Sequence, residues 1–171
     1  MDVTRRCDYA CRILRAAYRG EGAYLSVAEI SEQENIPYAF ARSIQHDLVK
    51  GGLIKTVRGA HGGLALACDP QKVTLLDILE VVQGPVSVAS CAVEEEYCDK
   101  QDACAYNGVW LGADKLLNDY FSQFTLADLL TLGKDHPAVA RALDGDAACE
   151  AASESGQHKY CGSHGAAAAH A

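Results

Sequence analysis

The chain has 171 residues, 49% of them hydrophobic, which is enough for one domain with a real core plus an appendage. No apolar run approaches the roughly eighteen residues that span a membrane, and the N-terminus lacks the apolar segment of a signal peptide, so we expect a cytoplasmic protein without a membrane partner. The net charge of −8 argues against nucleic acid, but residues 1–60 carry nine basic and seven acidic side chains, whereas residues 61–171 carry six and sixteen. A mildly basic N-terminal part is compatible with a DNA-binding face.

The first fifty residues predict three helices. Apolar residues recur at helical spacing over residues 7–19. A capping-box pattern from Ser26 to Glu29 opens a short second helix, and Pro37 begins a third, because proline is accepted in the first turn of a helix. We expect the third helix to bury its apolar positions, which are Phe40, Ala41, Ile44 and Leu48.

A β-hairpin is predicted directly after the third helix. Residues 53–58 are rich in β-forming side chains, residues 59–63 are a glycine-rich turn, and residues 64–67 form the return strand. Three helices followed by a hairpin are typical of a winged helix-turn-helix. The predicted fold class is therefore mainly α with a small β-hairpin wing.

Three more helices are predicted after the hairpin. The pattern from Thr74 to Asp77 caps a fourth helix, which Gly84 stops, and Thr125 caps a short helix that ends near Gly133. Between them lies a long helix whose apolar residues follow the three-four-three-four spacing of a seam between packed helices. The members of this seam are Trp110, Ala113, Leu117, Tyr120 and Phe124. The seam predicts a long dimerisation helix, with packing inside the chain as the alternative.

The most unusual stretch is the cysteine segment, residues 91–104. Its three cysteines, Cys91, Cys98 and Cys104, have six and then five residues between them, and no apolar run separates them. Only a disulfide or a metal centre would keep so polar a loop ordered. Zinc ligands usually stand two to four residues apart, whereas iron–sulfur clusters are held by thiolates on irregular loops. Eight cysteines in a cytoplasmic chain favour metal or redox chemistry over a disulfide framework.

The predicted organisation has three parts. Residues 1–84 form the winged helix-turn-helix DNA-binding domain, and residues 85–133 hold the cysteine segment and the dimerisation helix. Residues 134–171 form a tail that is largely disordered, because the composition from Asp144 onward is small, polar and aperiodic. Cys149 lies in that tail. Cys161 and His164 are either a pair of metal ligands there or, as the favoured interpretation, incidental residues.

In this order the motifs give a resemblance. Arg58-Gly-Ala-His-Gly-Gly63, Val73-Thr-Leu-Leu-Asp-Ile78, the three spaced cysteines, Val109-Trp110 and Thr125-Leu-Ala-Asp-Leu129 resemble the iron–sulfur winged-helix regulators that include IscR, NsrR and RirA. The resemblance covers roughly residues 1–133. It implies a homodimer that binds a palindromic operator, with a [4Fe-4S] or [2Fe-2S] cluster ligated by the three cysteines.

The fourth ligand divides this group. IscR-like members use a histidine three residues after the last cysteine, a position that Asn107 occupies here. NsrR-like members use an aspartate in the first helix of the partner subunit, and Asp8 stands at the matching place. Iron holds a carboxylate ligand less firmly than a thiolate, so a carboxylate would leave that corner of the cluster open to NO or O₂. Cys7 is the competing ligand, a capping acid is the structural alternative for Asp8, and Cys11 and Cys68 are expected in the core.

The resemblance implies a DNA-binding transcriptional regulator, expected to be a repressor, that senses NO, redox state or iron through a labile cluster. The third helix is expected in the major groove and the hairpin tip in the minor groove. The residues expected to contact DNA are Pro37, Tyr38, Ala39, Arg42, Ser43, Arg58, His61 and Gly62. For each of them an ordinary solvated surface position is the alternative.

Two other functions stay open. The same fold with disulfides among the three cysteines and no iron makes a thiol switch, and a third possibility is a small iron–sulfur electron carrier. An enzyme is not expected, because the sequence has no Ser/His/Asp arrangement, phosphate loop or convincing pair of carboxylates.

Overall fold

The computed structural model describes residues 2–59, 62–94 and 97–143. Within these ranges, 3₁₀ turns lie at Ser90–Ala92, Gln101–Ala103 and Gly133–Asp135. The other elements are α1 (Arg5–Arg19), α2 (Val27–Gln33), α3 (Tyr38–Lys50), β1 (Ile54–Val57), β2 (Gly63–Leu66), α4 (Leu75–Gln83), α5 (Asn107–Phe121), α6 (Leu126–Thr131) and α7 (Pro137–Leu143). The chain divides into two compact units, Met1–Thr131 and Leu132–Ala171.

Local capping explains where the first helices start. The Thr4 side chain accepts the N–H of Cys7 at the start of α1. At α2 the Ser26 hydroxyl accepts the Glu29 N–H at 3.1 Å, and the Glu29 carboxylate accepts the Ser26 N–H at 2.8 Å, which is the predicted capping box. The turn after α2 places Asn35 in the left-handed region, with φ of 51°. These caps produce the expected helix-turn-helix.

One core holds α1, α2, α3, α4 and the hairpin together. α1 packs against α3 and α4, and the largest fully buried side chains of this core are Ile13, Leu14, Ile30, Ile44, Leu48, Ile54, Leu64, Ile78 and Leu126. Each buried aliphatic side chain contributes about 1.5–3 kcal/mol to folding. A smaller cluster is formed by Cys7, Leu79 and Val86, with Leu117 packed against it.

The prediction that Phe40 faces the core is wrong. α3 buries Ala41, Ile44 and Leu48, a stripe at i, i+3 and i+7, whereas Phe40 is 51% exposed. Its ring instead lies edge-on to Tyr9 of α1, with ring centroids 6.0 Å apart. Of these two neighbours the core buries only the smaller one, Ala41.

The wing is the predicted antiparallel hairpin, in which Ile54 pairs with Leu66 and Val57 with Gly63. A third extended segment joins it, because Leu25 and Leu64 exchange two backbone hydrogen bonds of 2.8 and 3.0 Å. A Cβ at Gly63 would lie 2.4 Å from the Leu25 carbonyl oxygen, so only glycine allows this approach. The predicted fold class, a winged helix-turn-helix with a small β-hairpin, is confirmed.

The predicted seam on α5 needs correction. Phe124 is buried, but it lies beyond the last residue of α5. Leu117 packs inside the chain against the Cys7–Leu79–Val86 cluster, while Trp110 is 38% exposed. The most exposed apolar side chains of this helix and its start are instead Tyr106, Val109 and Leu116, at 68%, 59% and 73%.

The second unit is described only as far as residue 143. It contains α7, a helix inside the stretch that was predicted as a tail from residue 134. Residues 144–171, including Cys149, Cys161 and His164, lie outside the described residues. Among the helices that are described, none has the length and apolar character that crossing a bilayer requires.

Candidate functional site

A groove of about 430 Å³, with both polar and apolar lining, lies where α2, α3 and the wing meet. α2 and the residue before it contribute Ser26, Val27 and Ala28, α3 contributes Tyr38, Arg42 and Gln45, and the wing contributes Thr56, Val57, Arg58 and Gly63. The groove is open to solvent and is bordered by two guanidinium groups. Its position between a helix and a hairpin is where a winged helix-turn-helix meets duplex DNA.

Three of the eight residues predicted to contact DNA, Tyr38, Arg42 and Arg58, line this groove. Pro37, Tyr38, Ala39, Arg42 and Ser43 are all exposed at the N-terminal end of α3, and Arg58 is exposed on the wing. In the part of the chain that the structure describes, neither Arg42 nor Arg58 takes part in an ion pair. Both charges are therefore available to phosphates or base edges.

The groove also contains polar residues that the sequence did not predict. Gln45 lies three residues after Arg42, so both side chains project from the same face of α3. That spacing was the available signal for Gln45. Ser26 and Thr56 reach the groove through tertiary packing of α2 and β1, and no local pattern marks them.

Ser43 is held by a side chain from another helix. Arg6 of α1 donates from Nη2 to the Ser43 hydroxyl at 3.0 Å and forms an ion pair with Asp47, one turn further along α3. No local pattern predicts that Arg6 reaches α3, because Arg6 and Ser43 are separated by thirty-seven residues. Arg6 thus connects α1 to the face of α3 that is predicted to contact DNA.

At the wing tip, His61 lies outside the described residues, and Gly62 is half-buried. A Cβ at Gly62 would lie 2.2 Å from the Val57 carbonyl oxygen. The turn itself therefore requires glycine at this position, independently of any approach to DNA.

The described residues of the cysteine segment, 91–94 and 97–104, form short turns. Cys91 is half-buried in the 3₁₀ turn Ser90–Ala92, whereas Cys98 and Cys104 are exposed. Among the described residues no group of three His, Cys, Asp or Glu side chains is arranged to hold a metal ion. The donor set fits an iron–sulfur cluster in its chemistry, because three free thiols stand on irregular, accessible backbone. In a single chain these thiols are not gathered into a binding site.

Two polar atoms near Cys104 lack partners. Gln101 Oε1 and Asn107 Oδ1 are buried and accept no hydrogen bond from any described residue. Buried polar atoms are normally hydrogen-bonded. The C-terminal end of the cysteine segment therefore has two buried acceptors without a hydrogen-bond donor among the described residues.

An aspartate of α5 anchors the other end of the cysteine segment, and the sequence did not predict this role. Asp114 is only 9% exposed. Its Oδ2 accepts the Ser87 hydroxyl at 2.6 Å, and its Oδ1 accepts the Val88 N–H at 2.7 Å. An acidic residue in an amphipathic helix normally faces solvent. The available signal was its position three residues before the inward-facing Leu117.

Asp8 and Cys7, the two candidates for a fourth ligand, have different surroundings. Asp8 is about half exposed and pairs with Arg12 at 2.7 Å. It borders a polar depression that is also lined by Val3, Arg5, Tyr9, Arg12 and Asn35. Cys7 is completely buried, and its thiol donates to Gln83 Oε1 at 2.9 Å. Of the two, only Asp8 is open to a ligand from outside the chain.

The remaining described cysteines pack against the core. Cys11 and Cys68 are half-buried beside the main cluster. Burial raises the pKa of the Cys11 thiol to about 11, with smaller contributions from Cys7 and Asp8. Burial also raises the pKa of Cys68. Both thiols therefore remain protonated near neutral pH, where a thiol is a poor nucleophile and a poor metal ligand.

Comparison with known proteins agrees with this arrangement. The chain is 29% identical over 133 residues to the HTH-type transcriptional regulator NsrR of Halalkalibacterium halodurans, covering 77% of this chain and 91% of the relative. It is 28% identical over 131 residues to the HTH-type transcriptional regulator CymR of Bacillus subtilis, covering 75% and 89%. These relatives are transcriptional regulators and not enzymes, as predicted.

Solved structures match the fold. The structure of T. potens IscR aligns with a TM-score of 0.59 at 26% identity, covering 80% of this chain and 91% of that one. CymR, described as the global cysteine regulator of B. subtilis, aligns with a TM-score of 0.62 at 24% identity, covering 77% and 97%. The family described as Rrf2, iron-dependent transcriptional regulator, matches residues 3–132. The chain, with its winged helix-turn-helix and its cysteine segment, belongs to the Rrf2 family of transcriptional regulators.

Proposed function

We propose that this protein is a cytoplasmic, homodimeric transcriptional repressor whose affinity for a palindromic operator is controlled by an iron–sulfur cluster bound at the cysteine segment. The cluster makes the repressor responsive to NO, redox state or iron. The observation that carries the DNA-binding part is the groove that brings Tyr38, Arg42 and Arg58 together. Neither guanidinium group forms an ion pair with a described residue.

In this proposal the exposed residues of α3 and those of the wing contact different parts of the DNA. Arg42 and Tyr38 enter the major groove, where a guanidinium group reads guanine in bidentate fashion or pairs with a phosphate. The N–H groups that follow Pro37 and the side chains of Ala39 and Ser43 lie against the backbone of the duplex. Arg58 and the tip at His61 and Gly62 approach the minor groove.

A homodimer has two identical DNA-binding domains, which bind the two half-sites of a palindromic operator. The exposed side chains Tyr106, Val109 and Leu116 follow each other at three- and seven-residue spacing, so they share one face of α5 or its start. An apolar stripe of this kind is costly in water and is covered when α5 packs against its counterpart in a second copy. This stripe replaces the predicted seam, because Leu117 is used inside the chain.

The cluster, [4Fe-4S] or [2Fe-2S], is held in this proposal by Cys91, Cys98 and Cys104, with Asp8 of the second copy as the fourth ligand. When bound it supplies a labile centre that reacts with oxidants or NO. The accessibility of two of the thiols, the two unsatisfied acceptors beside Cys104 and the exposure of Asp8 support this assignment. The fully buried Cys7 is disfavoured as the alternative.

The route from the cysteine segment to DNA passes through α1. Asp8 and Arg6 both lie near the N-terminal end of this helix. Arg6 contacts Ser43 and Asp47 of α3. An ordered cysteine segment fixes α1 of the partner, and α1 in turn fixes α3 relative to its half-site. A coupling free energy of roughly 1–3 kcal/mol changes operator affinity about 5- to 150-fold.

A thiol switch without iron is the second candidate. It is favoured by the exposure of Cys98 and Cys104 and by the similarity to CymR, the global cysteine regulator of B. subtilis. The electron-carrier alternative is disfavoured, because the relatives of this chain are transcriptional regulators.

Anaerobic purification separates these functions. We expect the wild-type protein to contain iron and sulfide, to absorb visible light and to bind its operator, with binding lost on exposure to NO. The triple variant Cys91→Ser/Cys98→Ser/Cys104→Ser should lose both iron and the response, while Cys68→Ser serves as the matched control. Iron-free wild-type protein whose operator binding responds only to a thiol oxidant would establish the thiol switch instead.

A further inference from the structure

We infer that Asp114 is the positioning residue of the cysteine segment: it holds the backbone just before Cys91 against α5, the helix that begins shortly after Cys104. A restrained Cys91 matters for the proposed function because Cys91 is one of the three proposed cluster ligands. The restraint itself comes from hydrogen bonds that a single chain makes without any cluster.

The Asp114 carboxylate is bound on both oxygens. Oδ1 accepts the backbone N–H of Val88 at 2.7 Å, and Oδ2 accepts the Ser87 hydroxyl at 2.6 Å. Hydrogen bonds to an ionised acceptor are shorter and stronger than neutral ones. The carboxylate is also nearly buried, so water does not replace these partners at low cost. Asp114 therefore fixes the backbone three residues before Cys91.

A second contact one turn along α5 supports the first. The Asn118 side-chain amide donates to the Val86 carbonyl at 3.3 Å, and Val86 is buried against Leu79 and Cys7. The Ser87 hydroxyl oxygen also accepts the Ala89 N–H at 3.3 Å. Residues 86–89 are thus held over two successive turns of α5 by side chains at positions 114 and 118.

This anchoring closes the cysteine segment into a loop. The turn Ser90–Ala92 packs on α5, and Cys104 stands three residues before Asn107, where α5 begins. Both outer cysteines are therefore tied to one helix, with twelve residues between them. Joining two ends of a flexible chain has an entropic cost, which is already met here before any ligand binds. Asp114 accordingly acts through Cys91 and touches no ligand itself.

The test uses the full chain, free of iron and kept reduced. The rate at which N-ethylmaleimide modifies each cysteine is measured by mass spectrometry, together with hydrogen exchange over residues 86–90. Asp114→Leu removes both acceptors at similar volume. We expect Cys91 to react about tenfold faster, because the loss of a hydrogen bond to a charged group changes a local opening equilibrium by that order, while Cys98 changes less than twofold.

Two controls separate positioning from a general structural effect. Asp114→Asn retains an acceptor for Val88 and an amide for Ser87, so it should restore a rate near that of the wild type. Asp119→Leu changes an exposed acid of the same helix, whose partner is Lys115, and should have no effect. If Asp114→Leu does not fold, Ser87→Ala provides the same comparison, with a smaller acceleration at Cys91 expected.

Unchanged Cys91 reactivity and unchanged exchange in a folded Asp114→Leu or Ser87→Ala protein would overturn the inference. Reconstitution with ferrous iron and sulfide then gives the second readout, in which Asp114→Leu should bind less iron than the wild type. A wild-type chain that binds no iron, but in which Asp114→Leu still exposes Cys91, would contradict the proposed cluster and leave the role of Asp114 intact.

Discussion

Arg6 of α1 and Asp47 of α3 form an ion pair on the side of the molecule that is predicted to face DNA. The same guanidinium group donates to the Ser43 hydroxyl at 3.0 Å. It therefore neutralises an acidic side chain of α3 and at the same time joins the helix that carries Asp8 to the helix that carries Arg42. This contact gives α1 two separable roles, one electrostatic and one mechanical.

Replacing Arg6 tests the electrostatic role. Arg6→Ala leaves the Asp47 carboxylate uncompensated beside the phosphates, so operator affinity should fall about tenfold, which corresponds to about 1.4 kcal/mol. The free energy of unfolding should change by less than about 1 kcal/mol, because both side chains are roughly a third exposed and the pair is screened by solvent. Fluorescence anisotropy with operator DNA and urea unfolding measure the two quantities.

The double variant Arg6→Ala/Asp47→Asn is the control for this prediction. It removes the uncompensated charge and should recover most of the lost affinity. Equal losses in the single and the double variant would mean that Arg6 itself contacts a phosphate.

The salt dependence of binding tests Arg42 and Arg58, which form no ion pair with the described residues. Each phosphate contact releases about one counterion, so log Kd varies with log salt concentration in proportion to the number of contacts. Arg58→Gln should reduce that slope by about one, and Arg42→Gln should do the same if it contacts phosphate. If Arg42 reads guanine, its variant should instead lower specificity between operator sequences. Lys115→Gln, on α5, is the control and should leave the slope unchanged.

The helix-turn-helix and the wing could be predicted because their signals are local. The Ser26–Glu29 capping box, the glycines of the hairpin turn and the apolar period of α1 depend on neighbours within a few residues. Each of these patterns has one favourable structure, and the protein adopts it. The three spaced cysteines were equally visible, although their spacing does not say how they converge.

The wrong predictions of which residues are buried have a common physical origin. Where two adjacent residues are both apolar, tertiary packing determines which of them is buried. Phe40 and Ala41 are both apolar, and the close approach of α1 selects Ala41 for the core. Leu116 and Leu117 are likewise adjacent on α5, and the Cys7–Leu79–Val86 cluster selects Leu117. Asp114 was missed for a related reason, since its partners Ser87 and Val88 lie in a loop without periodicity.

Cys11 gives the protein a predictable sensitivity to alkaline pH. Its pKa is raised from 9.0 to about 11, chiefly by burial. Between pH 9 and 11 the unfolded chain loses this proton while the folded chain keeps it, so the free energy of unfolding falls as pH rises. The Cys11 thiol makes its full contribution to the free energy of unfolding below pH 9. Above pH 11 that free energy is lower by roughly 2–3 kcal/mol, at about 1.4 kcal/mol per pH unit.

Urea unfolding across this pH range measures the effect. Cys11→Ala should be less stable at neutral pH, because it leaves a small cavity, but its stability should decline less steeply between pH 9 and 11. Cys98→Ala, which changes an exposed thiol, should follow the wild-type curve. A Cys11→Ala protein with the wild-type pH dependence would show that other groups cause the decline.

The exposed stripe on α5 predicts the effect of a charge on dimerisation. Leu116 is 73% exposed and lies seven residues after Val109, on the same face of the helix. Leu116→Glu places a carboxylate in the proposed contact between two copies, so light scattering should report half the wild-type mass at micromolar concentration, with weaker operator binding. Leu111→Glu is the matched control, because Leu111 is also exposed but lies about 200° from Val109 around the helix. A Leu116→Glu protein that keeps the wild-type mass, or a Leu111→Glu protein that loses it, would place the contact between copies on another face.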